Sequence, residues 1–150
     1  AYPQVVSWCE QNNVKVVHLV RENILKTYVS TVTAKLHKMH HPRSGAKIKI
    51  ATLALDCDKL LAELARRTQD LENNRKLFKD VPYLELKYED FVAHREAESK
   101  RLLNFLGAND DGPLESTLVK INPAKLSDII TNYEEVKQAL IGGPYEQYLD

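Results

Sequence analysis

The apolar positions change period several times along the chain, and each change predicts an element. In "VKVVHLV", Val14 to Val20, five of seven residues are apolar and mostly β-branched, the pattern of a short strand buried on both faces between layers of helix. Arg21 stands where that strand should end. Asn23 is placed to cap a helix, and Ile24, Leu25, Tyr28, Val29, Val32 and Leu36 follow at the three- and four-residue spacings of an amphipathic one.

The period is then lost. "MHHPRSGAK", Met39 to Lys47, collects Pro42, Gly45, His40, His41 and basic residues, and reads as a loop leading into an extended piece, Ile48 to Leu53. Asp56 suits the N-cap of a long helix reaching Phe78, with Leu60, Leu61, Leu64, Ala65, Thr68 and Leu71 in register. After Pro82, "YLELKY" alternates and predicts a second strand, Tyr83 to Tyr88, with "EDFV" as the turn behind it. Glu96 to Leu106 carries Ala97, Leu102, Leu103, Phe105 and Leu106 as the apolar face of a helix that Gly107 closes. "ANDDGP" reads as a loop, and an extended piece runs to Pro123. A helical turn at Leu126 to Ile130 and a helix from Asn132 to Leu140 follow, stopped by Gly142, Gly143 and Pro144. The order strand, helix, helix, strand, helix, helix favours the α/β class with few parallel strands. So thin a sheet exposes an edge unless helices cover it or a further segment pairs with it.

Length and charge narrow the function. One hundred and fifty residues suffice for a single domain, 1–150, with a real core. Lysine plus arginine and aspartate plus glutamate both total 21, so the chain as a whole offers no nucleic-acid or anionic-membrane surface, and any anion site must be local. No apolar run approaches a membrane span. Cys9 and Cys57 are far apart, without zinc-ligand spacing, and read as ordinary thiols, with a single disulfide left open. A guanidinium at the carboxyl end of a strand suits a phosphate, because it is always charged and forks two hydrogen bonds; a salt bridge to neighbouring Glu22 is the plainer use of it. His18, inside the strand, reads as a packed residue with one ring nitrogen satisfied.

Three stretches together resemble the sulfotransferases that use 3′-phosphoadenosine-5′-phosphosulfate (PAPS), the bacterial and carbohydrate-type branch in particular. "HLVRENILKTYVS" looks like that family's 3′-phosphate segment, "LELKYEDFVAHREAESKRLLNFLG" like its "YEDL…FLG" segment, and "LVKINPAKLSDIITNYEEVKQAL" like the end of the same domain. They span Val14 to Leu140 in the family's order. The resemblance implies a P-loop-like, three-layer α/β fold, of which this chain is a helix-rich C-terminal part. It implies that Arg21 and Ser30 hold the 3′-phosphate of PAPS or of its product, 3′,5′-adenosine bisphosphate (PAP). Seven residues of helix after Asn23 amount to about 10 Å of axis, so that phosphate must lie beside the helix. Tyr88, Glu89 and Asp90 read as structural, Tyr88 closing a strand and the two acids favouring a helix start.

The family also needs a backbone loop for the 5′-phosphosulfate and a general base, and no glycine precedes Gly45 here. "PRSG", Pro42 to Gly45, has a loop's composition in the wrong context, after a helix and before an extended piece. The expectation is therefore that no catalytic residue lies in this chain and that the loop and base lie upstream of Ala1. His40, His41 and Arg43 are candidates for the acceptor side, or a solvated basic loop. The acceptor would be a small molecule, carbohydrate or lipid bearing a hydroxyl or amine. The alternative is a non-catalytic helical binding or scaffold module derived from the same fold. A kinase lacks support, because no GxxxxGK[ST] is present. The cytoplasm is the favoured compartment, with a Golgi lumen also open.

Overall fold

A computed structural model describes residues 3–37, 52–109 and 125–150. The chain divides into two compact units of interleaved segments: Ala1–Glu22 with Gln69–Glu115, and Asn23–Thr68 with Ser116–Asp150.

The first unit opens with a helix that the apolar pattern did not announce, α1, Pro3–Gln11. Its Val5 and Trp8 are exposed and Cys9 alone of its described side chains is buried, so it carries too little of a buried stripe to be read. Asn13, at φ 50°, reverses the chain, and the Val14 N–H donates to the Cys9 carbonyl at 2.9 Å before β1, Val16–Val20, begins. β1 pairs in parallel with β2, Tyr83–Lys87, from Val16 opposite Tyr83 to Val20 opposite Lys87. Because the Val16 N–H donates to Pro82 O at 2.8 Å, the backbone groups of Val16, His18 and Val20 address β2. Those of Val17 and Leu19 point the other way, to an edge with no strand on it among the described residues.

Burial of β1 on both faces is overturned. Val17 is 38% and Leu19 60% exposed, while Leu84 and Leu86, their neighbours in register on the same face, are buried. The residues form the predicted strand, but the half of that face supplied by Val17 and Leu19 is exposed.

Two further corrections concern the segment after β2. "EDFV" is no turn but part of a helix, α4, Tyr88–Ala93, and Tyr88 opens that helix instead of closing the strand. Glu89 and Asp90 sit in its first turn, where the dipole favours negative charge. His94 breaks the helix, and α5 runs Arg95–Leu106. The expected apolar face of α5 is at best half-buried, with Ala97 and Leu106 exposed and Ser99 its one buried residue. Its end is as expected: Gly107 adopts φ 75°, its N–H donates to Asn104 O, and Ala108 N–H donates to Leu103 O. Those two bonds close the helix as a Schellman motif, which needs the left-handed residue that glycine supplies without strain.

The second unit holds the larger core. Asn23 caps α2, Ile24–His37, its Oδ1 accepting the Lys26 N–H at 2.8 Å. Asp56 caps the next helix in the same way through the Lys59 N–H at 3.1 Å. That helix, α3, runs Cys57–Leu77, its residues to Thr68 in this unit and the rest in the first. α6, Leu126–Ile129, and α7, Tyr133–Leu140, follow, then a 3-10 turn at Glu146–Tyr148. Leu25, Val29, Leu60, Leu64, Leu126, Ile130, Val136 and Leu140 are fully buried together. Each contributes about 1.5–3 kcal/mol by leaving water.

Only the end of the predicted extended piece is described, where Leu53 forms an isolated parallel bridge with Ile130. Asn132 stands at the start of α7 as expected, but its side chain clasps Leu55, accepting its N–H at 2.9 Å and donating to its carbonyl at 2.8 Å. The predicted loop at Met39–Lys47, most of "ANDDGP" and the piece ending at Pro123 lie outside the described residues.

Candidate functional site

The carboxyl ends of two parallel strands bring the candidate residues of the first unit together. Parallel register puts Val20 opposite Lys87, so the residues that leave the strands, Arg21 and Glu22 from one and Tyr88 and Glu89 from the other, meet side by side. The Glu22 N–H donates to Glu89 Oε2 at 3.0 Å, and Lys87 Nζ pairs with Glu22 Oε1 at 2.6 Å. The sequence offered Glu22 as a candidate salt-bridge partner for Arg21, and the structure gives Glu22 another partner. Glu22 goes to Lys87, and the acid nearest Arg21 is Glu89.

Arg21 itself is held loosely in charge and firmly in place. Its guanidinium lies 5.0 Å from the centre of the Tyr88 ring, a cation–π distance. Its Nε is 3.9 Å from Glu89 Oε1, near enough for attraction and too far for a hydrogen bond. That Nε is buried and has no hydrogen-bond partner among the described residues, although the side chain as a whole is 26% exposed. A buried, charged donor left unmade is costly, by about 1–3 kcal/mol, and that cost falls when an acceptor arrives.

Ser30 belongs to the second unit, on α2, half-buried, and its hydroxyl makes no hydrogen bond among the described residues. Its neighbours differ: Thr27 Oγ1 donates to Asn23 O at 3.2 Å and Thr31 Oγ1 to Thr27 O at 2.8 Å, so both hydroxyls are used within the helix. His40, His41 and Arg43, and with them "PRSG", lie outside the described residues.

His18 is packed as the sequence suggested, and its surroundings are more elaborate. The Tyr83 hydroxyl donates to Glu85 Oε2 at 3.2 Å; having one proton, it takes the 2.6 Å contact with His18 Nδ1 as acceptor. Arg75 closes the group with two bonds to Glu85, each 2.8 Å, and one to Glu72 at 2.6 Å. Burial lowers the His18 pKa, Glu85 opposes that, and Arg75 adds to it. Burial, with the charge of Glu85, pushes Tyr83 up to about 12, while the Arg75 hydrogen bonds hold Glu85 below its ordinary value. A neutral imidazole and a protonated phenol are thus the resting forms.

Sequence reasoning missed Tyr88 and Glu89 as partners of Arg21. The signal was present in "KYED" directly after the second strand, and became usable only with the parallel register known. Among the described residues there is no cluster of metal-ligating side chains, Cys9 and Cys57 are free thiols, and no helix is long and apolar enough to cross a membrane.

Comparison with known proteins gives one finding. Neither curated proteins nor solved structures yield a match. A sequence model described as the sulfotransferase family matches residues 12–112. That stretch is well over half of the chain and contains both strands, Arg21 and the Tyr88–Glu89 pair, and on this ground the chain belongs to the sulfotransferase family.

Proposed function

We propose that residues 1–150 act as one sulfotransferase-like domain of P-loop-like, three-layer type, related to the bacterial and carbohydrate branch, and that Arg21 and Ser30 bind the 3′-phosphate of PAPS and of PAP. The observation that carries this reading is the buried Nε of Arg21, a cationic donor with no hydrogen-bond acceptor among the described residues, at the carboxyl end of β1. The donor set suits a phosphate. Arg21 brings permanent charge and a planar fork, and Ser30 brings a hydroxyl not used within α2.

PAPS, when bound, supplies the activated sulfuryl group for a hydroxyl or amine of a small-molecule, carbohydrate or lipid acceptor. On this reading the chain's own residues bind and orient the nucleotide end. The phosphosulfate loop and the general base lie outside this chain, and His40, His41 and Arg43 serve the acceptor side.

Calorimetric titration of PAP into the chain and into its Arg21→Ala variant tests the reading. A charged hydrogen-bonding pair contributes about 1.5–3 kcal/mol, so affinity should fall by roughly ten- to a hundred-fold. Equal affinity of parent and variant would overturn the assignment.

A further inference from the structure

We infer that Lys26 is the second cation for the 3′-phosphate, and that the carboxylate of Asp150 holds its ammonium group until the phosphate takes its place. This rests on the phosphate role proposed above for Arg21 and Ser30, and it adds to that site a further ligand and a competitor built into the chain.

Charge calls for a second cation. A phosphate monoester carries about −1.5 to −2 at neutral pH. Arg21 brings one positive charge, which Glu89, 3.9 Å from its Nε, offsets in part, and Ser30 brings none. α2 has two lysines, Lys26 and Lys35. Lys35 comes five residues after Ser30 and so stands about 140° round the helix from it. Lys26 comes four residues before Ser30, one turn away on the same face. Its ammonium group rides on a flexible four-carbon stem, which suits an anion lying beside that face.

An oxyanion already meets that ammonium group. Lys26 Nζ lies 2.9 Å from Asp150 Oδ1, with the lysine side chain 37% exposed and the aspartate 15%. The other carboxylate oxygen, Oδ2, accepts the Leu126 N–H, and the Asp150 N–H donates to the Tyr133 hydroxyl at 3.1 Å. Two residues earlier, the Tyr148 carbonyl accepts from Asn23 Nδ2 at 3.0 Å, and Oδ1 of the same Asn23 caps α2. The segment that ends at Asp150 is thus tied to the first turn of α2, and Asp150 keeps its bonds to Leu126 and Tyr133 when the ammonium group leaves. A half-exposed ion pair of this kind contributes little. A phosphate carries more charge than a carboxylate and is the stronger partner. Lys26 therefore exchanges one oxyanion for another, and affinity for the 3′-phosphate depends on that competition.

Calorimetry on the 150-residue chain tests this by comparing PAP with adenosine 5′-monophosphate, which lacks the 3′-phosphate. The preference for PAP should fall roughly ten-fold in Lys26→Gln and rise about two- to five-fold in Asp150→Asn. It should not rise when Asp150→Asn is added to Lys26→Gln, since no ammonium group is then set free. The asparagine oxygen still accepts the Leu126 N–H, so the Asp150→Asn variant changes charge and keeps the tie. A lysine that served only to anchor Asp150 would give the two single variants effects of one sign or none, because each breaks the same ion pair. Any result in which the two do not move in opposite directions would overturn the inference and leave the phosphate role of Arg21 and Ser30 standing. A preference that survives Arg21→Ala, or is absent from the parent, would instead overturn that role, and the role of Lys26 with it.

Discussion

His18 is held neutral by its surroundings: burial disfavours the imidazolium, Arg75 adds repulsion, and the attraction of Glu85 only partly offsets them. Its folded-state pKa therefore lies below the ordinary 6.5. The unfolded chain takes up the proton first as pH falls, so stability is complete above about 6.5 and declines below it, toward the lowered folded value. Glu85 acts in a separate window. Its depressed pKa contributes stability that is lost only as pH falls below the ordinary 4.5 of a glutamate. Thermal unfolding followed between neutral pH and about pH 5.5 should show a falling midpoint in the parent and a flatter profile in His18→Gln, which has no proton to gain. A parent profile as flat as the variant's would show that the imidazole charges as easily folded as unfolded. At this scale the sequence was a partial guide. It placed Arg21 at the end of the strand and His18 as packed within it, because both depend on position along one strand. It did not reveal that Tyr88 lies against Arg21 or that Tyr83 lies against His18, since both contacts are made across a ladder whose register no local pattern encodes.

Elements long enough to show their period were legible, and short ones were not. β1, α2, α3, β2 and α5 were found near their observed limits because caps and apolar spacing agreed, as at Asn23 and Asp56. α4 has six residues and was read as a turn, for a stretch that short completes less than two helical turns and shows no repeat. α1 escaped notice because Val5 and Trp8 face outward and Cys9 alone of its described side chains is buried. The end of α5 depends on one residue. At Gly107, φ 75° is unfavourable for any side chain, and a new Cβ would also sit 3.4 Å from Lys15 Nζ. Gly107→Ala should therefore cost about 1–2 kcal/mol in denaturant unfolding. A loss of a few tenths only would mean that the helix end relaxes into another closure.

For the molecule as a whole, the stretch that matches the family model holds only part of the second unit's core. The family match ends at residue 112, yet five of the twelve residues of the buried cluster in the second unit lie beyond it: Leu126, Ile129, Ile130, Val136 and Leu140. At about 1.5–3 kcal/mol each, their removal costs an amount comparable with the 5–15 kcal/mol that holds a typical domain together. A chain cut to residues 12–112 should lose the cooperative unfolding transition of that unit and expose Leu25, Leu60 and Leu64 to hydrophobic dyes. A sharp transition in the shortened chain would show that the remaining cluster suffices. The α/β order and the parallel pairing were legible at this scale, whereas the division into two interleaved units was not, because it depends on which helix faces meet.

The open side of β1 also bears on how the protein behaves among copies of itself. Its outward backbone groups belong to Val17 and Leu19, both apolar and both exposed, and no lysine or proline interrupts the strand. Lysine and arginine balance aspartate and glutamate, so little long-range repulsion keeps two molecules apart near neutral pH. Only five residues long, the strand offers a short template, and no strand pairs with that side of it among the described residues. Pairing of folded molecules along that side is then a route to association at high concentration, and a single charge at position 19 would oppose it without touching either core.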